Sequence, residues 1–153
     1  MVKVNANPAS RGKYKNAKTG TYLLKNPEKY CGSQPPVYKS NLEYLFCRYA
    51  DTNPAVVSWG YENAVVKYLD RSCSPAKVRR YYVDFVCKIR VGPAFKTVWV
   101  EIKNSCEATK PGPKAAPKTV LTWIKNSCKW QAARMVAKQR GYDFRILTEK
   151  ELS

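Results

Sequence analysis

The chain has 153 residues, about one domain's worth, and its 44% apolar and 12% aromatic content suffices for a modest core, which excludes a disordered tail. Its 28 Lys and Arg stand against 11 Asp and Glu, a formal charge of +17, and that surplus points to a polyanionic partner and away from an enzyme of small metabolites. Histidine is absent, which excludes Ser-His-Asp and Cys-His catalysis and His-ligated metal sites, so any hydrolysis falls to carboxylates, lysine and a metal ion.

Residues 1–30 hold seven basic side chains against the single acid Glu28, with Gly, Pro and Asn interspersed and no periodicity. They read as an extended basic arm ahead of a domain over residues 31–153. No apolar stretch in Met1–Lys18 forms a signal peptide, and no run anywhere approaches the roughly 18 apolar residues of a membrane span, so no membrane partner is expected. Ser40 then opens an S-x-x-E box with Glu43, and Leu42, Leu45, Phe46 and Tyr49 follow at helical spacing until Asn53-Pro54. That pattern predicts a short amphipathic helix. Val56–Tyr61 and Ala64–Leu69 read as extended segments, separated by the Ser72–Lys77 loop from the clearest strand, Arg80–Val91.

In that strand Tyr81, Val83, Phe85, Cys87, Ile89 and Val91 form an apolar face and alternate with Tyr82, Asp84, Val86, Lys88 and Arg90, so Asp84 lies on the other face. Gly92-Pro93 signals a turn, after which Val98, Val100 and Ile102 alternate with Thr97, Trp99, Glu101 and Lys103. The two form a hairpin, and a short turn that pairs position 91 with 94 or 96 puts Asp84 on the same face as Glu101 and Lys103. Glu107–Lys118, with three prolines and Lys110, Lys114 and Lys118, reads as a basic loop. A long helix follows, with an expected buried stripe of Leu121, Ile124, Cys128, Ala132 and Met135 and a C-terminal cap at Gly141. Tyr142, Phe144 and Ile146 give a last strand, and Thr148 with Glu151 a second capping box. The order predicts an α/β fold, a mixed central sheet flanked by helices. The six scattered cysteines lack any C-x-x-C pair, so reduced thiols and no zinc site are expected.

Two carboxylates and an ammonium share one strand face beside a cationic loop, and the carboxylates are hard oxygen ligands suited to Mg²⁺, with Mn²⁺ able to take its place. Such an ion activates water and stabilises charge growing on a phosphodiester. The plain alternative is a solvated face with a cross-strand ion pair. The surrounding series is Lys39-Ser40 with Glu43, Trp59 with Glu62, Arg80-Tyr81-Tyr82-Val83-Asp84-Phe85, Glu101-Ile102-Lys103 and Trp130-Gln131-Ala132-Ala133. It resembles the PD-(D/E)xK nuclease superfamily. With Asn26-Pro27-Glu28-Lys29-Tyr30 ahead and Gly141 to Glu149 behind, it is similar to the head completion nucleases of T4-like tailed phages over Lys25 to Leu152.

The resemblance implies a restriction-endonuclease-like fold and a DNA endo/exonuclease acting in head completion and head–tail joining. Its setting is the host bacterial cytoplasm or the virion connector, with portal, neck or other head-completion proteins as partners. Asp84, Glu101 and the Ile102 carbonyl would bind metal, Lys103 would position the nucleophile, and Glu43 would assist. Glu43 is equally explained by its capping box. Glu62 reads as a surface acid at a strand end or as an acid near the site. Gln131 falls at an inward stripe position and serves either the site or a buried backbone group. Val83 stands where the family usually has Pro, and Lys39 where it usually has Arg; neither change removes a metal ligand. Lys13, Lys15, Lys110, Lys114 and Lys118 are the expected contacts to double-stranded DNA, through phosphates and without base reading. The rival readings are a non-catalytic neck or portal-associated protein that keeps the nuclease fold, and a repair or transposition nuclease.

Overall fold

The computed structural model describes residues 19–152, so the arm lysines Lys13 and Lys15 lie outside the described residues. From Gly20 onward the expected arm is part of the body. Strand β1 (Gly20–Thr21) pairs antiparallel with β2 (Val37–Tyr38). Tyr22 is fully buried and its hydroxyl donates to Asp51 Oδ2 at 2.9 Å. The backbone N–H groups of Lys25 and Asn26 donate to the same carboxylate at 2.8 and 3.0 Å. Composition suggested a solvated arm, but Tyr22, Leu24 and Tyr30 supply enough apolar surface to pack on the core, while Lys29 Nζ donates to the carbonyls of Asp51 and Asn53 at the end of the next helix, where a cation meets the negative end of the dipole.

Helix α1 (Asn41–Thr52) begins where expected. Ser40 Oγ accepts the Glu43 N–H at 3.1 Å, and the helix stops at Asn53, ahead of Pro54. Four strands form the central sheet in the order β3 (Val56–Tyr61), β6 (Phe85–Val91), β7 (Ala94–Ile102), β8 (Asp143–Leu147). The first three are antiparallel neighbours and β8 runs parallel to β7, so the sheet is mixed. Strand β7 feeds both faces. Val98, Val100 and Ile102 join Phe46, Trp59 and Phe85 in the core under α1. Trp99 points the other way, into a second core with Trp130, Ala133 and Ala137 of the long helix α2 (Pro117–Gln139). The β6–β7 hairpin has the shorter expected register, Val91 opposite Ala94, with Gly92 at φ +58° in the two-residue turn.

The expected strand Arg80–Val91 is two strands. Strand β5 (Lys77–Tyr82) pairs with β4 (Val65–Asp70) in a separate ribbon that packs on α2, and the chain changes sheets at Val83-Asp84. Val83 N–H donates to the Ala64 carbonyl at 3.0 Å and Glu62 N–H to the Asp84 carbonyl at 2.9 Å, so the crossing is tied backbone to backbone. Alternation survives the crossing although the destination changes. Tyr81 and Val83 enter the α2 core, whereas Phe85 and Cys87 enter the α1 core. Opposite the break, Glu62 sits at φ +45°, a left-handed backbone that disfavours any residue with a Cβ.

Helix α2 departs from expectation in two respects. It starts at Pro117, a favoured first helical residue, so Lys118 belongs to its first turn and not to the loop. Its buried stripe is Asn126, Trp130, Ala133 and Ala137; Leu121 and Met135 are exposed. Small residues let the helix lie close to the ribbon and sheet, and the large apolar side chains are scattered round its circumference. Gly141, at φ +76°, ends it as predicted: its N–H donates to Lys138 O and Tyr142 N–H to Ala137 O, the paired bonds of a Schellman cap. The last turn, α3 (Glu149–Leu152), opens with Thr148 N–H on Glu151 Oε1 at 2.7 Å. No helix among the described residues is long and apolar enough to cross a membrane.

Candidate active site

The break at Val83-Asp84 leaves Asp84 beyond the end of β6. One step past the Phe85–Val100 pair, it faces Glu101 on β7. Its Oδ2 accepts the Ile102 N–H at 2.8 Å, a bond that a continuous β-ladder would have given to a backbone carbonyl. Glu101 is only 6% exposed. The Tyr81 hydroxyl donates to its Oε1 at 2.5 Å, and Lys103 Nζ lies 3.9 Å from its Oε2. Burial first, then the Glu101 charge, raise the Asp84 carboxyl well above the ordinary range, against the opposing pull of the Ile102 N–H and Lys103. Burial, reinforced by Glu101, also raises the Tyr81 phenol, which keeps its proton as a donor.

Glu43 forms the expected capping box and also lies beside the other acids. Its backbone completes the Ser40 cap, while its carboxylate accepts the Lys39 N–H at 3.1 Å. It also stands near the other acids: burial raises its carboxyl, and Glu101 adds to the rise. A cleft of about 400 Å³ between the first turn of α1 and the end of β7 is lined by Ser40, Glu43, Ile102 and Lys103. Glu62 is half-buried, 3.8 Å from Lys39 Nζ. The Tyr61 phenol is raised by burial and then by Glu62, Glu43 and Asp84, so this acid also borders the site. Lys110 and Lys114 are exposed in the loop after β7, and Lys118 is exposed at the start of α2.

Gln131 is not brought to the site. It is exposed on α2, because the true phase of that helix turns Trp130 and Ala133 inward. Lys129 takes its place: its Nζ stands 5.6 Å from the centre of the Tyr81 ring. Burial lowers its ammonium, Lys125 and Lys103 lower it further, and Glu101 and Asp84 oppose them. Alternation had put Tyr81 in the core, where it is, but gave no sign of its bond to Glu101. A correctly phased α2 would have found Lys129.

The arrangement has an electrostatic defect that a cation corrects. Two carboxylates withdrawn from water face each other; Lys103 reaches Glu101 at 3.9 Å, Lys129 acts from farther off, and among the described residues no cation lies within 4.0 Å of the Asp84 oxygens. Among the described residues no three His, Cys, Asp or Glu side chains converge as metal ligands. An ion here would draw on the Asp84 and Glu101 carboxylates, with the Ile102 carbonyl as the further ligand that the resemblance implies, and oxygen donors of this kind suit a hard cation such as Mg²⁺. The residues present fit a hard divalent cation.

Comparison with known proteins identifies the family. Residues 53–149, from the end of α1 to the start of α3, match the family described as TnsA-like endonuclease N terminal. The chain is 37% identical over 147 residues to the head completion nuclease of Enterobacteria phage T4, covering 89% of this chain and 94% of the relative. No solved structure matches the chain. The match takes in Asp84, Glu101 and Lys103 within a mixed sheet flanked by helices, a restriction-endonuclease-like fold, and the chain is a nuclease of the head completion family with a TnsA-like endonuclease domain.

Proposed function

We infer that this nuclease is a divalent-metal-dependent deoxyribonuclease of phage head completion and head–tail joining. Asp84, Glu101 and the Ile102 carbonyl hold Mg²⁺, with Mn²⁺ as a substitute, and Lys103 and Glu43 are the other working groups. The single observation behind this reading is the Asp84–Glu101 pair, sequestered together with more negative charge than nearby donors neutralise. A bound Mg²⁺ would supply Lewis-acid stabilisation of charge developing on the phosphodiester. The chain's own contribution is placement. Ile102 N–H fixes Asp84, and Tyr81 fixes Glu101. Lys103, on the Glu101 side of the cleft, offers a compact cation to the attacking water or to a phosphate oxygen. Glu43, across the cleft on α1, orients that water.

Lys110, Lys114 and Lys118 bind phosphates of double-stranded DNA, and Lys13 and Lys15 add to the same sequence-independent attraction. The T4 relative's name, head completion nuclease, supports a role in head completion; packaged DNA in the infected bacterial cytoplasm as substrate, and portal or neck proteins as partners, belong to the same proposal. The test is cleavage of linear duplex DNA by pure protein in Mg²⁺, Ca²⁺ and EDTA. Mg²⁺ is expected to support cutting and Ca²⁺ binding with little turnover. Glu101→Ala and Lys103→Ala should each lose roughly a thousandfold in rate, a barrier change of about 4 kcal/mol, in protein that circular dichroism shows to be folded. Full activity in EDTA refutes the metal mechanism.

A further inference from the structure

Lys118, Lys125 and Lys129 are spaced by seven and four residues on α2, which at about 100° per residue puts them in one narrow arc of the helix. That arc lies a quarter turn from the buried stripe. Lys118 is exposed, whereas Lys125 and Lys129 are half-buried. Among the described residues no carboxylate oxygen comes within 4.0 Å of Lys129 Nζ, although Glu101 and Asp84 attract it from farther off, and the face of Tyr81 lies 5.6 Å away. Tyr81 in turn donates to Glu101. A half-buried ammonium with a π face beneath it, further cations beside it and no acid in contact is costly unless an anion completes it. The arc spans roughly 16 Å along the helix, and the chain enters it from the loop that carries Lys110 and Lys114.

We propose that Lys118, Lys125 and Lys129 form a phosphate track along α2 that receives one DNA strand and leads it to the site, Lys129 holding the phosphate next to the one cut. This rests on the nuclease reading and adds to it a wall for the substrate, opposite α1. Tyr81 is the joint between the two: one ring presents its face to Lys129 and its hydroxyl to Glu101, so strand binding and carboxylate placement share a side chain.

The experiment measures affinity for a short linear DNA duplex in Ca²⁺ across a range of KCl concentrations, with cleavage in Mg²⁺ alongside. Lys129→Gln is expected to weaken binding about tenfold and to lower the slope of log affinity against log salt by about 0.9. Lys129→Arg keeps the slope, and Lys118→Gln with Lys125→Gln lowers it by about twice that amount. The paired variant changes positions outside the core, so the proposal stays open to refutation even if Lys129→Gln folds poorly. An unmoved slope in both variants overturns the track. Glu101→Gln is the control for the reading underneath. If it abolishes cutting while the slopes stay unmoved, only the track fails; if it cuts like the wild type while the slopes fall, the track stands and the catalytic assignment fails.

Discussion

At the end of α1, Asp51 is completely buried and accepts the Tyr22 hydroxyl and the N–H groups of Lys25 and Asn26. At the tip of the β4–β5 ribbon, Asp70 is also buried, and it accepts from Ser72 N–H and Oγ and from Arg79 Nε, 2.8 Å away. At the sheet break Asp84 has the Ile102 N–H and, facing it, a second carboxylate. The first two acids have their donors built into the fold and serve as struts. The third is short of positive charge, and in a protein with 28 Lys and Arg that shortage is a matter of placement rather than supply. Removing charge should therefore have opposite consequences in the two regions.

The largest expected effect on stability is at Asp51. Asp51→Ala strands a tyrosine hydroxyl and two backbone N–H groups in a closed space, and at about 1 to 3 kcal/mol per unsatisfied buried donor the loss should be about 4 kcal/mol, measured by urea unfolding. A loss near zero would mean that water replaces the carboxylate, and the strut reading would fall.

The pH dependence of stability sharpens the contrast. The Ser72 hydrogen bonds and Arg79 hold the Asp70 carboxyl below the usual range, so its stabilisation is present above the unfolded-state value and lost as pH falls below it. Asp84 is raised. Its folded form binds its proton more tightly, so the metal-free protein loses stability as pH climbs from the unfolded-state value through the raised one. Asp84→Asn should consequently melt several degrees higher than the wild type at neutral pH without metal. The gap should close in acid, and Mg²⁺ should narrow it by stabilising only the wild type. Melting curves at several pH values, with and without Mg²⁺, read all three.

A smaller effect is expected at Ser40. Ser40→Ala removes the cap of α1 and should cost about 1 kcal/mol. Since Ser40 also holds the first turn that carries Glu43, cleavage should fall severalfold as well. A stability loss with unchanged cleavage would return Glu43 to a purely structural role.

The site was legible in sequence wherever a local rule fixed geometry. Gly92-Pro93 admits a turn so short that Asp84 must share a face with Glu101 and Lys103, and the S-x-x-E box set the start of α1. The sheet change at Val83-Asp84 was hidden because side chains alternate the same way whether a strand keeps its neighbour or exchanges it. Tyr81 and Phe85 look like one apolar face and belong to two cores. The phase of α2 was hidden for a different reason. Its apolar residues encircle it, and the buried positions include Asn126 and two alanines, so periodicity favoured Leu121 and Met135, which face water. From that misplaced stripe followed the inward reading of Gln131 and the silence about Lys129. The cationic N-terminal stretch misled in another way, since charge density conceals a few well-placed aromatics such as Tyr22.

Glu62 carries a further implication. A left-handed backbone angle is glycine's natural seat, and a residue with a side chain gives up about 1 kcal/mol to occupy it. Here the occupant is a carboxylate whose own N–H pins the Asp84 carbonyl. A glycine would keep that N–H and relieve the backbone angle, so a more robust version of this chain differs from the present one at this position. Selection for thermal endurance alone would be expected to erode Glu62 first, leaving the fold sounder than before.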